Sequence, residues 1–155
     1  MEGDAETMTT NKSRLLNYTT SIDAEKTVAE IQRKLAKAGA HQILHEYSPD
    51  GIMAAVSFRI RTQVGDMAFR LPAEIDKVHA VLKQQFTRGK FAEREQAARV
   101  GWRIVKDWTE AQLALIETGM ATVEQVFLPY WQGGRDGRTL YEVMRDRKFQ
   151  PLLKE

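Results

Sequence analysis

Three arginines alternate with apolar residues on two neighbouring segments, and the planar guanidinium fork suits phosphate because it donates two parallel hydrogen bonds. In Ile52-Met-Ala-Ala-Val-Ser-Phe-Arg-Ile-Arg61 and Met67-Ala-Phe-Arg-Leu71 the apolar positions recur at period two, the pattern of half-buried strands. A tight turn at Val64-Gly65 makes them a hairpin, with Phe58 opposite Leu71, Ile60 opposite Phe69 and Arg59 opposite Arg70. Arg61 falls on the same side. Like charges directly opposed destabilise a strand pair by roughly a few tenths of a kcal/mol. Something should offset them: an anion from outside, or Glu46, Asp66 or an acidic helix residue from within. Lys77, Lys83, Arg88 and Lys90 follow, so residues 51–91 carry seven basic and three acidic groups in a chain of net charge +2. The nucleic-acid or anion-binding candidates are therefore Arg59, Arg61, Arg70, Lys77, Arg88 and Lys90, against the alternative of a solvated surface.

Other chemistry finds little support. Cysteine is absent, which removes disulfides, thiolate metal sites and cysteine nucleophiles. His41 and His45 lie four apart on a predicted strand, so their side chains are roughly 13 Å apart and cannot share one metal ion. His79 is expected on the exposed side of its helix. No nucleophile elbow, phosphate-binding loop, zinc-protease or calcium-loop pattern occurs. Asp107, Glu110 and Glu117 sit at salt-bridge spacing on one helix face, which points to solvation and not to acid–base work. The chain is expected to be non-enzymatic, with no metal and no cofactor. Trp102, at the margin of an apolar stripe, Leu113, and Trp131, beside glycines, are the candidates for an interaction surface.

The elements that must position these groups are readable. Arg14–Thr20 is expected as a short strand. Asp23 caps a helix to Ala38, with Val28, Ile31 and Leu35 on one face and Gly39 as the stop. His41–Tyr47 alternates, Ser48-Pro-Asp-Gly51 is turn chemistry, and the hairpin follows. Tyr47 then faces Ile52, Ile43 faces Val56 and His41 faces Phe58. One sheet face holds Ile43, Tyr47, Ile52, Val56, Phe58, Ile60, Phe69 and Leu71. The other holds Leu44, Glu46, Met53, Ala55, Ser57, Arg59, Arg61, Ala68 and Arg70. Pro72 opens a helix to about Gln85, and Phe86-Thr-Arg-Gly-Lys90 is a basic linker. A long helix spans about Ala92 to Thr118, and its apolar arc of roughly 200° is about twice the usual stripe. Such a helix is central or serves two contacts, so self-association is expected. Its polar arc should carry the pairs Arg103–Asp107 and Lys106–Glu110. Thr122 with Gln125 and Thr139 with Glu142 form capping-box patterns for two short helices.

The fold class expected is α+β: an α-β-β-β-α core with a three- or four-stranded antiparallel sheet, then a long central helix and short C-terminal helices. Residues 1–13 read as a disordered tail and 14–155 as a single domain. The opening residues are polar and acidic, unlike a signal peptide, and no apolar run approaches the ~20 residues that span a bilayer. A cytoplasmic protein without membrane contact is expected.

The order helix, three strands, helix over residues 23–85 resembles the double-stranded RNA-binding domain in topology. The second helix opens Pro72-Ala-Glu-Ile-Asp76, where that family carries lysines, so the likeness ends at topology. Asn17-Tyr-Thr-Thr20, Phe69-Arg-Leu-Pro72, Gly101-Trp-Arg-Ile-Val-Lys-Asp-Trp108, Ala111-Gln-Leu-Ala-Leu-Ile116 and Phe127-Leu-Pro-Tyr130 together resemble a family of small proteins of phages and other mobile elements. That resemblance carries no activity and implies only a setting in replication, recombination or the blocking of a host system. The leading expectation is an accessory protein that binds DNA or RNA. The alternatives are a module that inhibits or adapts a host or phage protein, and a binder of a small phosphorylated ligand.

Overall fold

The computed structural model describes residues 13–134 and 136–153. The expected tail lies, but for Ser13, outside them. Helix α1, Ala24–Lys37, buries Thr27, Val28, Ile31 and Leu35, and Gly39 turns the chain at φ 111° into the sheet. Strands β1 (Ala40–Tyr47), β2 (Met53–Thr62) and β3 (Gly65–Pro72) form an antiparallel sheet in the order β1-β2-β3. Helix α2 is Ile75–Gln85 and α3 is Arg94–Glu117, followed by α4 (Val123–Phe127), α5 (Leu140–Asp146) and α6 (Gln150–Leu153). This is the expected α+β order, with three strands.

The strand expected at Arg14–Thr20 is a turn instead. Tyr18 N–H donates to Leu15 O, Thr20 N–H donates to Asn17 O, and Asn17 takes the left-handed conformation that asparagine tolerates better than most residues. Pro72 ends β3 and does not open α2.

The core forms on one face of the sheet. Val56, Phe58, Ile60, Met67, Phe69 and Leu71 are all buried there with Val28, Ile31 and Leu35 of α1. Phe58, Phe69 and Phe127 meet with ring centroids 5.3–5.6 Å apart, within the range where aromatic pairs attract. Tyr47, expected on this face, is exposed because the ladder shifts register between Glu46 and Tyr47. Such an irregularity re-aims side chains.

The long helix earns its wide apolar arc inside the chain, since α3 packs on both α1 and α2. A Cβ on Gly101 would stand 3.1 Å from Ile75 Cδ1, so glycine there lets α2 approach closely. The capping boxes at Thr122/Gln125 and Thr139/Glu142 both form. The polar arc of α3 is less solvated than its spacing suggests. Lys106 pairs with Glu110 as expected, but Arg103 reaches Glu30 on α1 at 2.8 Å, and Asp107 accepts from Asn17 Nδ2 at 2.9 Å. Helix α1 lies alongside this arc and supplies the opposite charges.

Candidate nucleic-acid interface

The arginines of the sheet share its outer face, opposite the core, but they do not oppose one another. The hairpin loop is Gln63-Val64, with Thr62 paired to Gly65, so Arg59 faces Ala68 and Arg70 faces Ser57. The true register differs from the expected one by two residues. A shift of two leaves every side chain on its face, which is why Val56, Phe58, Ile60, Phe69 and Leu71 lie in the core as expected while the arginine pairing differs.

Each of these two arginines meets a carboxylate from another strand. Arg70 on β3 reaches across β2 to Glu46 on β1, with Nε 3.1 Å from Oε1 and Nη2 3.0 Å from Oε2. The pair spans small residues of β2. Ala55 stands directly opposite Glu46 and is fully buried, and Ser57 stands opposite Arg70. Hydrogen bonding to Arg70 holds the Glu46 carboxyl below its usual range, and Glu46 in turn raises Arg70. Nearer the hairpin tip, Asp66 accepts from Arg59 Nε at 3.2 Å and contacts His41 Nε2 at 2.7 Å. His41, then Arg59, lower the Asp66 carboxyl. His41 escapes the core face through the register shift between Ala40 and Gln42. Arg61 lies opposite Asp66, exposed, with no ion pair among the described residues.

The remaining cations separate into two groups. Lys77 pairs with Glu74 at 3.1 Å. Arg94 clamps Asp50 and Asp76, and the Ser48 hydroxyl together with Arg94 draws the Asp50 carboxyl down to about 2. Arg88 and Lys90, in the α2–α3 loop, are exposed and find no carboxylate within 4.0 Å among the described residues. They stand beside an aromatic cluster. Phe86 stacks on Tyr18 with centroids 5.4 Å apart, and Phe91 meets both at 5.3–5.5 Å. Arg14 joins from the N-terminal segment, its guanidinium 4.9 Å from the Phe86 centroid and its Nη1 donating to Gln85 O at 3.0 Å. Lys90 Nζ lies 5.1 Å from the Phe91 centroid. The rings fix the loop while the cation heads stay in water.

Arg14, Tyr18 and Phe91 were not among the sequence candidates. The interleaving of Phe86, Arg88, Lys90 and Phe91 is visible in the sequence, but the approach of a segment some 70 residues away is tertiary. Two interaction-surface candidates also change meaning. Trp102 is fully buried, its Nε1 donating to Met53 O at 2.9 Å, so it anchors α3 to β2. Met53, expected on the outer sheet face, is buried in the core at the register shift between Glu46 and Tyr47. Trp131 is half-buried, forms a bridge to Phe69 and covers Gly133, where a Cβ would come within 2.5 Å of the indole. Leu113 lines an open groove with Lys34, Lys37, Glu110, Ile116 and Glu117. Its carboxylates and the Lys34–Glu110 pair oppose an anionic ligand there. His79, expected exposed, is half-buried against Ala92 O at 2.9 Å.

Among the described residues no group of three or more His, Asp or Glu side chains could hold a metal ion, and no helix is long and apolar enough to cross a membrane. No protein-family profile, curated protein or solved structure matches the chain.

Proposed function

We propose that the protein is a non-enzymatic nucleic-acid-binding accessory protein that contacts the phosphate backbone through Arg14, Arg88 and Lys90. The observation that carries this reading is the contrast in partners. Arg59 and Arg70 are already neutralised by Asp66 and Glu46, whereas among the described residues Arg14, Arg88 and Lys90 meet no carboxylate, and Arg14 and Lys90 lie over the Phe86 and Phe91 rings. An external polyanion gains most where no internal charge must first be displaced. Phe86 is covered by Tyr18 and Arg14, so binding rests on charge more than on base stacking and is independent of sequence. Work in the cytoplasm and a setting in a phage or mobile element belong to this proposal, the latter resting on the resemblance of the segments from Asn17 to Tyr130.

The test is fluorescence anisotropy with labelled single- and double-stranded oligonucleotides over a range of salt. Three phosphate contacts predict that log K falls against log salt with a slope of roughly −2 to −3. No binding of either DNA or RNA at low salt sinks the proposal.

A protein partner is the second reading. Tyr141, Leu152 and Leu153 are exposed at 50–73% on the C-terminal helices, more apolar surface than a short segment normally presents to water. It predicts a partner complex that survives high salt and is lost with Leu152→Asp and Leu153→Asp together.

A further inference from the structure

The two edges of the sheet are finished differently. On the β3 side, Trp131 bridges Phe69 and Gln132 N–H donates to Ala68 O at 2.8 Å, so the segment after α4 closes that edge. On the β1 side, among the described residues, no backbone hydrogen bond joins Ala40–Tyr47 to anything but β2. An open edge presents a row of N–H and C=O groups to any strand that fits, and monomeric proteins usually guard it with lysine, proline or an inward charge. β1 reads Ala-His-Gln-Ile-Leu-His-Glu-Tyr. It has no proline and no lysine, its one carboxylate is neutralised by Arg70, and Leu44 on the outer face is 62% exposed.

The irregularities of β1 limit what can pair there. Its ladder with β2 is regular from Gln42 to Glu46 and shifts register at both ends. The regular stretch is centred on Leu44. We infer that two copies of the chain join by their β1 edges, antiparallel, about a two-fold axis at Leu44, to make one continuous six-stranded sheet. In this register Leu44 meets Leu44 of the second copy, Gln42 meets Glu46 and Ile43 meets His45. No like charges are opposed, the two exposed leucines cover each other, and the Gln42 amide faces the Glu46 carboxylate. A slip of two residues either way sets Leu44 against Gln42 or Glu46. A slip of one turns the second copy's core face outward.

Sedimentation without nucleic acid tests this independently of the function proposed above. The expected result is a concentration-dependent species of twice the 17.7 kDa chain mass. Leu44→Lys places two ammonium groups in contact at the axis and should give a monomer with an unchanged circular-dichroism spectrum, and its melt should lose the concentration dependence that dimerisation gives the wild type. The chain lacks cysteine, so Leu44→Cys reports the register. Directly opposed residues have Cβ atoms about 5 Å apart, and mild oxidation should link the copies rapidly. Gln42→Cys, whose counterpart lies roughly 13 Å away along the strand, should not link. A monomer at every concentration, a dimer that survives Leu44→Lys, or equal cross-linking of the two cysteine variants overturns the inference.

Discussion

On the outer face of the sheet, Arg70 donates to both oxygens of Glu46 and Arg59 donates to Asp66. At the α2–α3 loop, Arg88 and Lys90 stand in solvent beside Phe86 and Phe91, with Arg14 over the Phe86 ring. Both regions are rich in cations, and the sheet held the more orderly set in the sequence. The difference lies in what tertiary structure brings alongside. Strand pairing delivers a carboxylate from β1 to Arg70 across β2, and β3 supplies Asp66 to Arg59. The loop is met by an aromatic ring and a third cation from the N-terminal segment. Local positive charge therefore says little about binding until its internal partners are known.

The largest effect is expected at the loop. Reversing both exposed cations, Arg88→Glu with Lys90→Glu, should weaken nucleic-acid binding on the order of 100-fold at low salt, about 2.7 kcal/mol. Circular dichroism should show an unchanged fold. If affinity holds, the loop is not the contact surface.

On the sheet, the carboxylate can be removed instead. Glu46→Gln leaves Arg70 half-buried without its partner and should cost roughly 1–2 kcal/mol in a denaturant melt. A melt within error of wild type would show that the cross-strand pair contributes nothing.

Acid should act on the carboxylates that neutralise the sheet arginines and Arg94. Glu46, Asp66 and Asp50 are all held below their ordinary carboxyl range in the folded protein, Asp50 to about 2. A carboxylate depressed by folding contributes stability above its unfolded value, near 4, and loses it as pH falls through the folded one. Thermal stability should thus be flat above about pH 5 and decline from about pH 4 toward pH 2. Glu46→Gln should flatten part of that decline, and an unaltered profile would contradict the assignment.

The smallest effect is expected at Arg61. It is exposed and has no ion pair among the described residues, so Arg61→Ala should change stability by less than about 0.5 kcal/mol and affinity by less than about twofold. A large loss of binding would return the sheet face to consideration.

Much of the fold was legible because it rests on periodicity. Val28, Ile31 and Leu35 mark α1, and the alternation of β2 and β3 marks the core face even where the register is misjudged by two residues. The length of α3 and both capping boxes follow from local chemistry. What was not legible depends on residues far apart in sequence. Pro72 suits either a strand end or a helix start, and β3 extended to claim it. Asn17 gave no local sign of its left-handed turn. The wide apolar arc of α3 announced two contacts but not that α1 and α2 would supply both. Trp102 looked marginal on a helical wheel because the Met53 carbonyl it bonds lies 49 residues away. The loop site was half visible, through Arg88 and Lys90, and hidden where Arg14 and Tyr18 complete it.

The most direct test of the account is a parallel salt titration of nucleic-acid binding for three proteins: wild type, Arg88→Glu/Lys90→Glu and Arg59→Ala/Arg61→Ala. The account predicts a slope of roughly −2 to −3 for the wild type, the same slope and nearly the same affinity for the sheet variant, and near-complete loss for the loop variant. Loss in the sheet variant with retention in the loop variant would contradict it.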